Sequence, residues 1–204
     1  MRGDTAALQP RAGASPFPAA FQAYFRFISE PSTPRISSRP TLDPIERAAQ
    51  TWEERFGPAG SMRAATSVFR VQQILISQFD EALKPHRLTF ARYEVLVLLT
   101  FSRTGELPLK VIGSRLMVHP TSVTNAIERL VAAGYVERRP NPADGRGVLA
   151  AITERGREVV PPATAAVTGQ DFGMSDLTED ELDTLFQLLR KIRLGAGDVA
   201  PPPD

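Results

Sequence analysis

Residues 107–153 read LPLKVIGSRLMVHPTSVTNAIERLVAAGYVERRPNPADGRGVLAAIT, and the punctuation of this stretch decides the fold. A short apolar helix carries Leu109, Val111, Ile112 and Leu116, and a tight break comes after it at Met117, Val118 and His119. Pro120 opens a second helix, because at the first helical position its missing N–H costs nothing and its φ is already helical. Val123, Ile127, Leu130 and Val131 recur at i, i+4, i+7 and i+8, which predicts one buried stripe. Gly134 falls where a left-handed C-terminal cap is needed. Two β-prone runs, residues 135–139 and 147–152, are then joined by the basic turn PNPADGR. Helix, break, helix and hairpin make the plan of a winged helix-turn-helix, whose second helix enters a DNA major groove.

The face opposite the apolar stripe carries Thr121, Ser122, Thr124, Asn125, Glu128 and Arg129. Short hydroxyl and amide side chains near a helix N-terminus reach phosphates with help from the helix dipole. They also reach base edges, and Asn is the residue type that pairs bidentately with adenine. The hairpin contributes Arg138, Arg139 and Arg146. An Arg at a hairpin tip is drawn into the negative potential of a minor groove. Asp144, two residues before Arg146 in a tight Asp-Gly turn, is read as positioning it.

With these pieces in register, the chain resembles the multiple antibiotic resistance regulator (MarR) family of bacterial transcription factors. The resemblance is carried by LTFARYEVLVLL, by LPLKVIGSRLMVHPTSVTNAIERLVAAGYVERR, by the wing DGR and by ITERGR, and it spans residues 41–194. It implies a homodimer whose helix over residues 120–133 reads the major groove, with Pro120, Thr121, Ser122, Thr124, Asn125 and Arg129 on DNA. It implies that the wing contact is made by Asp144 and Arg146, beside the Arg138 and Arg139 already read from the hairpin. It further implies a small aromatic or lipophilic effector, bound between the residue 88–101 helix and the dimer helices, with His86, Arg92 and Tyr93 as candidate lining. The chain departs from the family at Asn125, where members often carry a basic residue.

The fold class expected is mainly α, a winged helix-turn-helix core with a two-stranded β-hairpin wing, flanked by N- and C-terminal dimerisation helices. Length supports one domain with tails: 204 residues, 42% of them hydrophobic. Residues 1–40 read as a disordered tail rich in Pro, Ala, Ser and Gly, one that a start site placed too far upstream would explain. Its apolar patch FPAAFQAYFRFI is broken by Arg26 and is too short for a secretory segment. Residues 41–195 form the winged-helix domain, with dimerisation helices in 41–87 and 154–195 around a DNA-binding core in 88–153. Residues 196–204 read as a loose tail.

Within the outer segments, residues 41–56 form a short helix started by Asp43 and Pro44. A longer helix over residues 63–83 places Val68, Val71, Ile74, Leu75 and Phe79 on one face, and Pro85 ends it. Thr89 is placed to cap the next helix, residues 88–101. Pro161 and Pro162 remove helical hydrogen bonds, so a kink or break is expected there. Thr178 with Glu181 spells a capping box, ahead of a stripe of Leu182, Leu185, Phe186, Leu189 and Ile192.

The formal net charge of +1 hides an asymmetry. Residues 108–156 hold seven basic and four acidic residues, a net of +3, whereas residues 157–204 hold four basic and nine acidic, a net of −5. The basic part coincides with the helix-turn-helix and wing. With no cysteine, disulfides, thiolate metal sites and cysteine redox sensing are excluded. No apolar run approaches the roughly 18 residues of a membrane helix. The two histidines, His86 and His119, do not make a metal-binding pair, and His119 is better read as a cap or phosphate contact. No nucleophile motif or phosphate-cradling glycine loop is present. The acidic run EDELD suits a first helical turn better than a cation site. The expectation is therefore a cytoplasmic, sequence-specific DNA-binding regulator, a ligand-responsive repressor on a pseudo-palindromic operator, without catalysis, cofactor or metal. The alternative is a winged-helix docking or dimerisation module without sequence preference.

Overall fold

The computed structural model describes residues 43–142, 144 and 147–199. The expectations for residues 1–40 and for Arg146 fall outside the described residues. A short N-terminal piece ends at Ala48, and the main body runs from Ala49. Helix α1 (Pro44–Phe56) begins with the Ile45 N–H donating to Asp43 Oδ1 at 2.8 Å. This places Asp43 as the starter that its residue type suggests.

The main body contains α2 (Gly60–Leu83), α3 (Phe90–Phe101), β1 (Glu106–Pro108), α4 (Leu109–Leu116) and α5 (Pro120–Ala132). After these come β2 (Val136–Pro140), β3 (Val148–Ile152), α6 (Glu154–Thr168) and α7 (Glu179–Gly195), with short 3-10 turns after α2 and α6. Helices α3, α4 and α5 pack around Leu96, Leu99, Ile112, Ile127 and Leu130, all fully buried. The three strands form one antiparallel sheet in the order β1-β3-β2. The expected hairpin is thus present as β2–β3. Strand β1 adds a third member, too short and too close to Pro108 to carry a strand period of its own.

Helix α3 is not capped in the way its sequence suggests. Thr89 holds the N-cap position in extended conformation, yet its hydroxyl makes no cap bond and accepts from Arg92 Nε at 3.1 Å. The cap comes instead from Asp80 on α2, whose Oδ1 accepts the Phe90 N–H at 2.6 Å. A side chain ten residues upstream therefore satisfies an orphan donor and ties α3 to α2. Aromatic packing strengthens the same junction, with the Phe79 and Phe90 rings 4.7 Å apart. Glu94 on α3 is half-buried, and burial pushes its carboxyl above the ordinary range.

The break expected at Pro161 and Pro162 is absent, because α6 runs through both. Both prolines are exposed, whereas Val160, Ala163 and Val167 are buried. The missing hydrogen bonds fall on the solvent side, and tertiary packing rather than propensity holds the helix through them. The capping box at α7 is formed, with the Thr178 hydroxyl accepting from Glu181 N–H and the Glu181 carboxylate accepting from Thr178 N–H. That bonding holds the Glu181 carboxyl below its ordinary range. Past α7, residues 196–199 form a hydrogen-bonded turn with an Arg193–Asp198 ion pair of 2.8 Å, where the sequence reads as loose tail.

Two apolar faces stay uncovered. Val68, Val71 and Ile74 on α2 are 44–47% exposed, and Leu182, Phe186 and Ile192 on α7 are 37%, 51% and 65% exposed. Among the described residues no helix is long and apolar enough to cross a membrane, and no group of three or more His, Cys, Asp or Glu side chains is placed to hold a metal ion.

Candidate nucleic-acid interface

Helix α5 is built for presentation. Pro120 sits in its first turn, and His119 is the N-cap, its Nδ1 accepting from Thr121 N–H at 3.3 Å. The imidazole is here a cap, as its position suggested. Val123, Ile127 and Leu130 are buried, which holds the helix down along one side. Val131 departs from the expected stripe and is 38% exposed, since the helix turns it outward in its last turn. Thr121, Ser122, Asn125 and Arg129 are exposed, and Thr124 is half-buried. The Thr124 hydroxyl donates to the Pro120 carbonyl at 3.1 Å, so its oxygen remains an acceptor toward solvent.

The C-terminal end of α5 is locked to the start of the wing and to α6. Gly134 is left-handed with φ +75°, and the Gly134 and Tyr135 N–H groups return to the Val131 and Leu130 carbonyls at 2.9 and 3.0 Å. This is the paired closure that a glycine after a helix allows. The Thr153 hydroxyl then donates to the Gly134 carbonyl at 2.8 Å while accepting from Gly156 N–H at 3.0 Å, capping α6. At Gly156 a Cβ would lie 2.2 Å from the Tyr135 carbonyl oxygen, so the glycine of ITERGR is demanded by close backbone approach. Arg155 stacks over the Tyr135 ring at 5.4 Å.

Strand β2 separates its two arginines. Arg139 is held by Glu106 of β1 at 3.1 Å and by Glu137 of its own strand, and the two carboxylates push its guanidinium pKa further up. Glu106 and Glu137 both pair with Ala151 on β3, which gathers the three charges on one patch of the sheet. Among the described residues Arg138 has no such partner and is exposed. Glu137 was legible as a partner, since residues two apart share a strand face. Glu106 was not, because nothing in the sequence marks β1. Asp144 is exposed in the turn, its N–H donating to Asn141 and its carbonyl accepting from Gly147 at 2.8 Å.

His86, Arg92 and Tyr93 are not brought to one cavity. The Tyr93 ring is buried and its hydroxyl meets Thr164 Oγ1 at 3.0 Å on α6. His86 ends the 3-10 turn after α2, and its carbonyl accepts from the Tyr135 hydroxyl. Arg92 lies between a groove of about 690 Å³ beside α2 and a hollow of about 440 Å³ beside α5.

This arrangement has close counterparts. A model of the MarR family matches residues 88–147. The multiple antibiotic resistance protein MarR of Escherichia coli is 36% identical over 117 residues, 55% of this chain and 78% of that protein. Sco5413, a MarR family transcriptional regulator of Streptomyces coelicolor, is 54% identical in its solved structure. That match has a TM-score of 0.65 and covers 69% of this chain and 98% of that one. A variant of the E. coli MarR solved with operator DNA is 31% identical, with a TM-score of 0.58, and covers 69% of this chain and 96% of that one. The basic winged helix-turn-helix described above is therefore a shared architecture, and the chain belongs to the MarR family of transcriptional regulators.

Proposed function

We propose that the protein is a homodimeric regulator that binds a pseudo-palindromic operator through α5 and the wing. The observation that carries this reading is the split of α5, which buries Val123, Ile127 and Leu130 and exposes Thr121, Ser122, Asn125 and Arg129. Short polar side chains at an exposed helix N-terminus suit base edges and phosphates together. A solved relative carries operator DNA on the same fold. Thr121, Thr124 and Asn125 discriminate bases, Ser122 and Arg129 flank them, and Arg138 with the Asp144–Arg146 turn follows the adjacent minor groove.

The uncovered apolar faces of α2 and α7 support a second copy. Covering them pairs two reading heads, which then enter successive major grooves about 34–36 Å apart. Repression follows where such an operator overlaps a promoter. A small aromatic or lipophilic effector relieves it by changing the spacing of the heads. Of the three candidate lining residues, Arg92 lines a groove beside α2, while Tyr93 and His86 border the packing through which such a change travels.

Selection from a randomised duplex pool at moderate salt tests the reading. An enriched inverted repeat with half-sites one helical turn apart is the expected result. Weak binding with no preferred sequence would instead assign the fold to docking another protein.

A further inference from the structure

We infer that Arg92, on α3, forms with Arg129, on α5, a seat for a backbone phosphate of the duplex, beside the face that reads bases. The inference rests on the proposed DNA-binding reading and adds a residue and a contact to it. Ser122, Asn125 and Arg129 are spaced by three and four residues, so they share one edge of α5. That edge borders the open hollow of about 440 Å³, whose far wall is the N-terminal turn of α3 with Thr89 and Arg92. The polar lining is therefore two guanidiniums, two hydroxyls and an amide, with no carboxylate. Donors of this kind around an open hollow suit an anion with several oxygens, and a phosphodiester matches.

Both guanidiniums are available. Arg92 uses Nε on Thr89, which fixes its direction and leaves the two terminal nitrogens. Among the described residues neither Arg92 nor Arg129 is in an ion pair, in contrast to Arg139. The acids nearest along the adjoining groove are engaged elsewhere, Asp80 by the Phe90 N–H and Glu81 by Lys84 at 2.8 Å. The hollow is open along the side of α5. A duplex lying on the outward face of α5 carries a charge for about every 1.7 Å of its axis, so phosphates must pass along this edge. Thr121 and Thr124 do not line the hollow, so base reading and strand anchoring meet on this helix at Asn125.

The test is fluorescence anisotropy across a salt series, on the enriched duplex and on a mixed-sequence duplex spanning two half-sites. Arg92→Ala removes one contact from each protomer of the dimer and should make the log–log salt slope shallower by about 1.8 on both duplexes, the share of two phosphate contacts. Between about 50 and about 200 mM salt, that shrinks the loss of affinity roughly twelvefold. Arg92→Lys should restore the slope, and the preference for the enriched duplex should not change in either variant. If alanine lowers the melting temperature, Arg92→Gln keeps the aliphatic stem and a polar end and removes the charge. An unchanged slope in Arg92→Ala and Arg92→Gln, beside a shallower slope in Arg138→Ala, overturns the seat and leaves DNA binding by the wing intact. Equal slopes in every variant, with no sequence enriched, remove both readings.

Discussion

The Tyr135 hydroxyl donates to the His86 carbonyl at 3.3 Å, across forty-nine positions of chain. One end of this contact lies directly after the cap of the recognition helix, and the other closes the turn after α2. The link between the long helix and the reading head thus includes one neutral hydrogen bond from a buried ring. Tyr135→Phe keeps the ring and its stacking under Arg155 and removes only the hydroxyl. Stability should fall by about 0.5–1.5 kcal/mol, the net worth of such a bond. An unchanged denaturation midpoint would show that the contact carries no energy.

Gly156 should tolerate nothing larger. A Cβ there would press on the Tyr135 carbonyl, which is backbone and cannot rotate away. Gly156→Ala should cost about 1–3 kcal/mol, as overpacking does. It should also weaken DNA binding, since α6 would be lifted from the base of the wing. Thermal melts and anisotropy on one preparation measure both effects.

The wing patch predicts a gain of charge on DNA. Glu106 and Glu137 hold Arg139 inside the sheet. Glu137→Gln and Glu106→Gln should free it and remove nearby negative charge, so affinity should rise and the salt slope steepen, most in the double variant. Arg138→Ala should act in the opposite direction. A double variant with the wild-type slope would mean that Arg139 points away from the duplex even when released.

Acid titration separates two carboxyls. Bonding to Thr178 lowers Glu181 from its ordinary 4.5, so its contribution is complete above that value and is lost as pH falls through the lowered one. Burial raises Glu94 from the same 4.5, so its charged form carries a penalty that is absent below that value and grows as pH rises through the raised one. Glu94→Gln should therefore raise the melting temperature at neutral pH and change little in acid. Glu181→Gln should lower it at neutral pH, with the difference closing in acid. Melts across the acid range read both signs.

Removing one proline from α6 should stabilise it. Pro161→Ala supplies an N–H toward the Arg157 carbonyl in a helix that already exists. The gain should be on the order of 1–3 kcal/mol, reduced by the added freedom of the unfolded chain. A loss on chemical denaturation would mean that the proline is needed to shape the helix.

What the sequence disclosed was local. Pro120, Gly134 and the Thr178–Glu181 pair each act within four residues of themselves, and each stands where its chemistry placed it. What it concealed depends on elements meeting in space. Asp80 caps α3 from another helix, and Glu106 reaches Arg139 only because β1 joins the sheet. Pro161 and Pro162 misled for the same reason, since packing on the far side of α6 outweighs the local penalty. At the interface, the face of α5 was legible from its period. The hollow beside it was not, because its other wall belongs to α3.

Thr153 lets one hydroxyl close α5 and open α6, with the sheet between them. That hydroxyl ties the end of one helix directly to the start of the other. Their amides should therefore exchange with solvent hydrogen together, at one free energy of opening. A reading head of this kind is a solid piece, and whatever regulates it must displace the piece and leave its shape alone.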